Sequence, residues 1–296
     1  MSFPTQTFVL GADTGDALPV RRLGFGTMRL VGEGAWGEPP IGRQAAMDVL
    51  RRAVDLGINL IDTADAYGPH IAEDLIAQAL HPYPAGLVIA TKGGLTRTGP
   101  AESKALGRPD YLTQSVELSL RRLKLDRIDL YQLHRIDPTV PVEETLGALK
   151  NLQAAGKIRH IGLSEVAPQE LQRAQKVVPI VSVQNRFNLT ERKSEPTLDL
   201  CAQHNIAFIP WYPLNAGKDK ARLDEDGNAI GDFARENLIT LNQLSIAWLL
   251  HRSPVILPIP GTSSVRHLEE NARAAEIELS DDTWSTFDLI LDTQGS

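Results

Sequence analysis

Short apolar runs alternate with longer segments of helical periodicity along almost the whole chain, and this alternation limits the possible folds more than any other feature. The runs predict strands at 23–28, 58–61, 87–90, 128–133, 158–163, 180–183, 206–209 and 255–257. The segments between them predict helices, as over 111–123, where Leu112, Val116 and Leu120 share one face. An open doubly wound sheet would give similar local signals. Eight repeats of about 30 residues favour an α/β fold closed into a (β/α)8 TIM barrel.

Start and stop signals support several of these helices. Pro141 opens one helix that Gly156 ends, and Thr240 with Gln243 resembles a capping box for another. The glycines and proline of the first 20 residues predict a small hairpin that covers the barrel. The polar segment 215–237 is expected to be a solvated loop. Residues 1–296 are therefore interpreted as a single barrel domain with an N-terminal hairpin cap.

Composition narrows the classes of function. The net charge of −7 argues against nucleic acid as a partner, because a phosphate-binding face needs a basic excess. The single cysteine, Cys201, cannot form an internal disulfide and is expected to be a small buried side chain. Neither a signal peptide nor a membrane-spanning apolar run is visible. We therefore expect a cytoplasmic protein with no membrane partner and no evident obligate protein partner.

Four side chains that could take part in proton transfer lie at or just after the ends of three consecutive predicted strands. Asp62, Lys92 and His134 end strands two, three and four, and Tyr67 lies in the loop after Asp62. Reactive groups of such barrels cluster at the carboxyl ends of the strands, so these four should meet. An ammonium near a phenol lowers the phenol pKa, so Lys92, held by Asp62, should make Tyr67 a better proton donor. His134 could orient a substrate carbonyl.

Simpler interpretations of the same residues exist. Asp62 and Lys92 could form a plain ion pair at the barrel rim, and a single histidine is more often structural than catalytic. A metal-dependent hydrolase would need several histidine or carboxylate ligands converging on one ion. Only His134 among the seven histidines sits at a predicted strand end, so no metal is expected. The combination of all four side chains favours proton transfer to a carbonyl.

The motifs around these residues resemble the aldo-keto reductase superfamily. The segment at 62–68 reads DTADAYG, and the similarity continues in TKG at 91–93, LH at 133–134, GLS at 162–164, QN at 184–185 and PIPGT at 258–262. Within the family, YGPH at 67–70 and IPGTSSV at 259–265 look most like bacterial members that include pyridoxal reductases. The resemblance implies NADPH-dependent reduction of an aldehyde or ketone, with NADH possible. It also implies that Tyr67 is the general acid and that Asp62, Lys92 and His134 complete a tetrad.

The resemblance also implies a set of cofactor-binding residues. Residues after the first strand should approach the nicotinamide ribose and pyrophosphate, Ser164 and Gln184 the carboxamide, and Trp211 the nicotinamide ring. The start of the last helix should hold phosphate, and residues within it the adenine. The full predicted set is Gly26, Thr27, Met28, Asp62, Ser164, Gln184, Trp211, Gly261, Thr262, Ser263, Arg266, Glu270 and Asn271.

Two positions depart from the pattern of the family. Glu165 stands where many members have asparagine, and a carboxylate cannot donate a hydrogen bond to the carboxamide oxygen. The usual phosphate-binding arginine aligns with His267, with Arg266 displaced by one residue, which turns a helical side chain by about 100°. These departures bear on the choice between NADPH and NADH.

The substrate is the least constrained feature of the sequence. Tyr67 and His134 should contact a small-molecule carbonyl, and Trp36 is a candidate wall of the pocket or else a capping hydrophobe. Pyridoxal, other small aldehydes, cyclic ketones and keto-sugars all remain open, since a fold does not select among them. Some barrels of this superfamily accompany membrane channels as slowly turning regulatory subunits. That alternative would keep the cofactor residues and show negligible turnover.

Overall fold

The computed structural model describes residues 7–214 and 218–294, and it contains a curled parallel sheet surrounded by helices. The strands are, in chain order, β1 (Thr7–Leu10), β2 (Leu18–Arg21), β3 (Phe25–Gly26), β4 (Leu60–Asp62), β5 (Val88–Gly93), β6 (Leu95–Gly99), β7 (Glu102–Ala105), β8 (Ile128–Leu133), β9 (Ile158–Ser164), β10 (Ser182–Gln184) and β11 (Ala207–Phe208). The parallel sheet has the order β3-β4-β5-β8-β9-β10-β11, so its neighbours follow one another along the chain apart from an inserted hairpin. This is the strand order of the predicted (β/α)8 barrel.

Helices cover the outer face of the sheet. They are α1 (Arg43–Asp55), α2 (Ile71–Leu80), α3 (Pro109–Leu123), α4 (Val142–Ala154), α5 (Pro168–Gln175), α6 (Glu195–Gln203), α7 (Lys218–Asp224), α8 (Ala229–Glu236), α9 (Leu241–Arg252), α10 (Val265–Arg273) and α11 (Asp281–Gln294). The predicted face of α3 is buried as expected, with Leu112, Val116 and Leu120 inside the core. Strands covered on one side by helices and filled on the other by core side chains carry apolar runs, which is the pattern visible in the sequence.

The predicted eighth strand, 255–257, is not a regular strand. Phe208 forms a single parallel bridge with Ile256, and its N–H donates to the carbonyl of Val255 at 2.8 Å. On the other side, the N–H of Gly24 donates to the carbonyl of Pro258 at 3.0 Å. The segment thus joins β11 to the start of β3 and closes the barrel. Proline has no N–H to donate, so a longer ladder cannot form through residue 258.

The N-terminal hairpin is confirmed. Strands β1 and β2 pair antiparallel, and the turn between them packs against β9, where His160 Nε2 lies 2.7 Å from the carbonyl oxygen of Asp16. A Cβ placed on Gly11 would lie 2.4 Å from the His160 ring, so this turn tolerates only glycine at the point of contact. Because His160 lies towards the amino-terminal side of β9, the hairpin leaves the opposite end of the barrel open.

Three regions differ from the prediction. The segment 215–237 is not a simple loop, because α7 and α8 occupy much of it and Asn228 caps α8 with its side chain; residues 215–217 lie outside the described part. The hairpin β6–β7 follows β5 directly and was not predicted. Helix α11 was not predicted either, although Trp284 and Phe287 anchor it in the core.

The remaining sequence expectations concern the interior. Cys201 is buried, and burial raises the pKa of its thiol to about 12, which makes it unreactive as expected for a packing residue. Within the described residues, none of the helices combines the length and apolar character needed to cross a membrane. The carboxyl ends of the parallel strands all open at one face, and the polar buried side chains concentrate there.

Candidate active site

The tetrad predicted from the sequence comes together at the carboxyl ends of β4, β5 and β8. The Nζ atom of Lys92 lies 2.6 Å from Oδ1 of Asp62, 2.8 Å from the carbonyl oxygen of Thr63 and 3.3 Å from the hydroxyl of Tyr67. The Lys92 side chain is 0% exposed, and the rings of Tyr67 and His134 lie edge to face with centroids 6.0 Å apart. The ion pair is therefore buried beneath the phenol instead of lying on the barrel rim.

Asp62 is held from two further strands. Its second oxygen, Oδ2, accepts hydrogen bonds from the side-chain amides of Gln132 on β8 and Gln184 on β10, at 3.1 and 2.8 Å. A buried ion pair costs desolvation, and it contributes most where further hydrogen bonds satisfy the charged atoms. These contacts hold the Asp62 carboxylate and the Lys92 ammonium in one fixed arrangement, in which Lys92 points at the Tyr67 hydroxyl.

The expected lowering of the Tyr67 pKa is not observed. Burial raises the pKa of Tyr67, and Lys92 acts against that rise without reversing it, while Asp62 adds to it. The prediction weighed the ammonium alone and omitted the cost of placing a phenolate in a buried site. The phenol is consequently fully protonated at neutral pH, which is the form that a proton donor requires.

His134 is kept neutral by its surroundings. Burial holds the pKa of His134 well below its usual value, and the charges of Lys92, Arg135 and Arg97 act in the same direction. Its Nδ1 atom is buried and has no hydrogen-bond partner in the described part of the chain. A neutral imidazole offers one N–H donor, so His134 can donate a hydrogen bond without adding positive charge to the site.

A cavity of about 420 Å³ opens above Tyr67 and His134. Most of the predicted cofactor residues line it. At the ends of strands these are Gly26, Asp62, Ser164 and Gln184. In the loops and helix beyond the strands they are Met28, Trp211, Gly261, Thr262 and Asn271.

The other predicted residues do not line this cavity. Thr27 is fully buried, Ser263 and Arg266 are exposed, and Glu270 accepts a hydrogen bond from the hydroxyl of Thr240 at 2.8 Å. Trp36 is 37% exposed and lies outside the lining, although its backbone pairs with Gly68 of the loop that carries Tyr67. Its role as a substrate wall stays a prediction.

The free polar atoms of the cavity fit a nicotinamide dinucleotide. At one end, the side-chain oxygens of Asn242 and Asn271 are buried without a partner in the described residues, and both could accept from an adenine amine. At the other end, Gln184 uses its amide nitrogen on Asp62, while its Oε1 atom accepts no hydrogen bond from a described residue and could accept from a carboxamide. Acceptors that lack a partner when buried need a ligand or water.

Close packing of the backbone requires glycine at two positions of the predicted cofactor-binding set. A Cβ on Gly26 would lie 2.7 Å from the carbonyl oxygen of Ile259, and a Cβ on Gly261 would lie 2.6 Å from the carbonyl oxygen of Gly26. Neither distance is tolerated by a real side chain. The two backbones therefore approach each other closely where β3 meets the segment that closes the barrel, and this brings Thr262 and α10 to the rim of the cavity.

The two departures from the family pattern have different structural outcomes. Glu165 accepts hydrogen bonds from the indole Nε1 of Trp211 at 2.6 Å and from the backbone N–H of Arg186 at 2.7 Å. At the other end, His267 lines the cavity, and the guanidinium of Arg266 lies 3.1 Å from its Nε2. The long side chain of Arg266 thus reaches the side chain of His267, although Arg266 lies one residue away from the position where the family usually has arginine.

Sequence reasoning missed several residues of the cavity. Leu95 and Arg97 come from the β6–β7 hairpin, and Arg135 follows His134 directly. In the segment LTRTGP at 95–100, threonine alternates with other residues before a Gly-Pro turn signal. This pattern would have indicated the hairpin. Within residues 7–214 and 218–294, no three His, Cys, Asp or Glu side chains are placed to hold a metal ion together.

Comparison with known proteins decides the family. The chain matches the aldo/keto reductase family over residues 22–292. It belongs to this family. An uncharacterized oxidoreductase of Schizosaccharomyces pombe is 48% identical over 91% of this chain and 86% of its own length. Pyridoxine 4-dehydrogenase of Escherichia coli is 40% identical over 97% of this chain and 98% of its own length.

Solved structures agree with this assignment. Glycerol dehydrogenase from Gluconobacter oxydans superposes with a TM-score of 0.83 at 28% identity, covering 97% of this chain and 95% of its own. An aldo/keto reductase from Klebsiella pneumoniae in complex with NADP and acetate gives a TM-score of 0.78 at 28% identity, with 97% and 95% coverage. The predicted barrel and the predicted class of NAD(P)H-dependent oxidoreductase are confirmed.

Proposed function

We propose that this aldo/keto reductase family member reduces an aldehyde or ketone to an alcohol with NADPH, and that Tyr67 donates the proton. The observation that carries the proposal is the 3.3 Å contact between Lys92 Nζ and the Tyr67 hydroxyl at the floor of the cavity. The cofactor, when bound, supplies the hydride. The residues of the chain orient the carbonyl and deliver the proton to its oxygen.

Each tetrad residue has a separate task in this proposal. Tyr67 is protonated at neutral pH and gives its proton to the carbonyl oxygen as negative charge develops there. Lys92 stabilises the phenolate that remains, and Asp62 keeps the ammonium charged and fixed in place. His134, which is neutral, donates a hydrogen bond to the same carbonyl oxygen and aligns it with the phenol.

The cofactor assignment draws on the chain's own donors and acceptors. Trp211 presents a half-buried indole on which a nicotinamide ring could stack, with Ser164 and Gln184 beside it for the carboxamide. Asn271 would hold the adenine, and Arg266 with His267 would meet a 2′-phosphate. The solved Klebsiella pneumoniae aldo/keto reductase is in complex with NADP, which supports the choice of cofactor.

The names of the relatives indicate a class of substrate. The Escherichia coli relative is named for the oxidation of pyridoxine, whose product is an aldehyde, and this favours pyridoxal-like aldehydes among the candidates. Cyclic ketones and keto-sugars are the other candidate substrates.

The direct test is consumption of NADPH, and separately of NADH, by the purified chain with a panel of carbonyls that includes pyridoxal. Oxidation that requires both the chain and a carbonyl supports the proposal. Tight cofactor binding without turnover on any carbonyl would contradict it and favour a regulatory, channel-subunit-like role instead.

A further inference from the structure

Positive charge accumulates in the cavity although the chain as a whole is acidic. Three arginines, Arg29, Arg97 and Arg135, line the cavity, whereas the net charge of the chain is −7. Among the described residues of the lining, Asp62 is the only acidic side chain, and Lys92 already neutralises it. A cavity with several cations and no free carboxylate attracts anions.

The arginines divide between the two ends of the cavity. Arg29 lies beside Gly261, where a Cβ on that glycine would be 3.4 Å from the Cγ atom of Arg29. That end carries the residues assigned to the phosphates and adenine of the cofactor. Arg97 and Arg135 instead lie near Tyr67 and His134, close enough for their charges to act on the pKa of His134.

Two backbone carbonyl oxygens fix Arg97 in place. Its Nε donates to the carbonyl oxygen of Ala66 at 2.9 Å, and its Nη1 donates to the carbonyl oxygen of Gly34 at 3.0 Å. No described carboxylate forms an ion pair with it. Since Ala66 immediately precedes Tyr67, the guanidinium is anchored next to the proton donor, and its Nη2 group remains available to a ligand.

The charge of Arg135 also acts on both Tyr67 and His134. Its Nη1 donates to the carbonyl oxygen of His134 at 2.5 Å and to the hydroxyl of Ser164 at 3.0 Å. Burial lowers the pKa of both arginines, which shows that each charge is partly removed from water, and Glu165 partly offsets this at Arg135. A half-buried guanidinium without a full counter-charge is costly unless an anion joins it.

We infer that the substrate carries a carboxylate or phosphate group close to its carbonyl, and that Arg97, supported by Arg135, selects for this group. The inference rests on the proposed function and narrows its substrate class. A guanidinium is suited to it because its planar N–H groups bind carboxylate and phosphate oxygens in pairs. The anion would lie on the hairpin side of Tyr67, leaving the cofactor end to Arg29.

The test compares three benzaldehydes that share the reacting carbonyl and carry a charged or an uncharged para substituent: 4-carboxybenzaldehyde, its methyl ester, and 4-formylphenyl phosphate. With NADPH, the wild-type chain should reduce the charged aldehydes with a kcat/KM about 10- to 100-fold above that of the ester, the range expected for hydrogen bonds to a charged group. The better of the two charged aldehydes identifies carboxylate or phosphate as the preferred anion.

Substitution of Arg97 separates recognition from structure. Arg97→Gln should remove most of the preference for the charged aldehydes, Arg97→Lys should keep part of it, and Arg29→Gln should leave the ratio unchanged. Loss of the backbone contacts alone would slow all three aldehydes by the same factor. An equal loss of that kind, or a wild-type chain that prefers the ester, would overturn the inference while leaving the reductase proposal intact. Failure to reduce any of the three, with NADPH bound, would count against both.

Discussion

The carboxylate of Glu165 accepts a 2.6 Å hydrogen bond from the indole Nε1 of Trp211. The backbone of Trp211 also pairs with Arg186, whose guanidinium lies 5.7 Å from the centre of the indole. Glu165 adopts a left-handed backbone conformation, with φ at 56°, that turns its side chain towards this pair. A residue that differs from the family's usual asparagine thus fixes the aromatic surface expected to carry the nicotinamide.

Replacing Glu165 should therefore weaken the cofactor site. We expect Glu165→Ala to raise the Kd for NADPH about 10- to 100-fold, because a hydrogen bond to a charged group contributes roughly 1.5–3 kcal/mol. Glu165→Gln keeps a side-chain oxygen that can accept from the Trp211 indole and the Arg186 backbone N–H. Its Kd for NADPH should therefore be close to that of the wild type. Quenching of the intrinsic tryptophan fluorescence during NADPH titration measures this Kd. Equal Kd values for Ala and wild type would show that the indole is held without the carboxylate.

The residues at the start of α10 predict a preference for NADPH over NADH. Arg266 contacts His267 at the rim of the cavity, where a 2′-phosphate would lie. Arg266→Ala should raise KM for NADPH about tenfold and leave KM for NADH nearly unchanged, since only NADPH carries that phosphate. Steady-state kinetics with both cofactors test this. A matched loss for NADH would assign Arg266 a structural role instead.

The buried carboxyl group of Asp65 should make the stability of the protein depend on pH. Its carboxyl accepts a 2.6 Å hydrogen bond from Ser115, and burial, followed by the charge of Glu73, raises its pKa to about 7. The folded state therefore binds the proton more tightly than the unfolded state, so stability falls as the pH rises towards 7. From about pH 5 to about pH 8 this contribution falls by roughly 2–3 kcal/mol.

Asp65→Asn removes this titration. The amide oxygen can still accept from Ser115, so we expect the variant to gain in unfolding free energy relative to wild type at alkaline pH and to differ little at acidic pH. Urea unfolding at both values measures the difference. A constant difference at the two pH values would contradict the assigned pKa.

The sequence predicted the barrel because its strands carry apolar runs at regular spacing and its helices carry a single apolar face. Strand 128–133 has the predicted limits, and the helix predicted over 111–123 forms as α3 (Pro109–Leu123). The closing segment was predicted as a strand because Val255, Ile256 and Leu257 are apolar, but the ladder there is limited to one bridge. The hairpin at 95–105 was missed because its strands are short and mostly polar.

Prediction of the site succeeded where the signal lies at a strand end and failed where it depends on tertiary packing. Asp62, Lys92 and His134 follow apolar runs, so their meeting could be predicted from chain order alone. The direction of the Tyr67 pKa could not, because it depends on how deeply the phenol is buried. Arg97 could not be placed either, since it reaches the site through contacts with Ala66 and Gly34.

The central claim is that Tyr67 donates the proton, and Tyr67→Phe tests it most directly. The variant keeps the ring and removes only the hydroxyl that lies 3.3 Å from Lys92. With a carbonyl that the wild-type chain reduces, kcat/KM should fall about 10²- to 10⁴-fold, the usual contribution of general acid catalysis, while the Kd for NADPH stays nearly constant. A variant that binds NADPH and retains most of the wild-type rate would contradict the account.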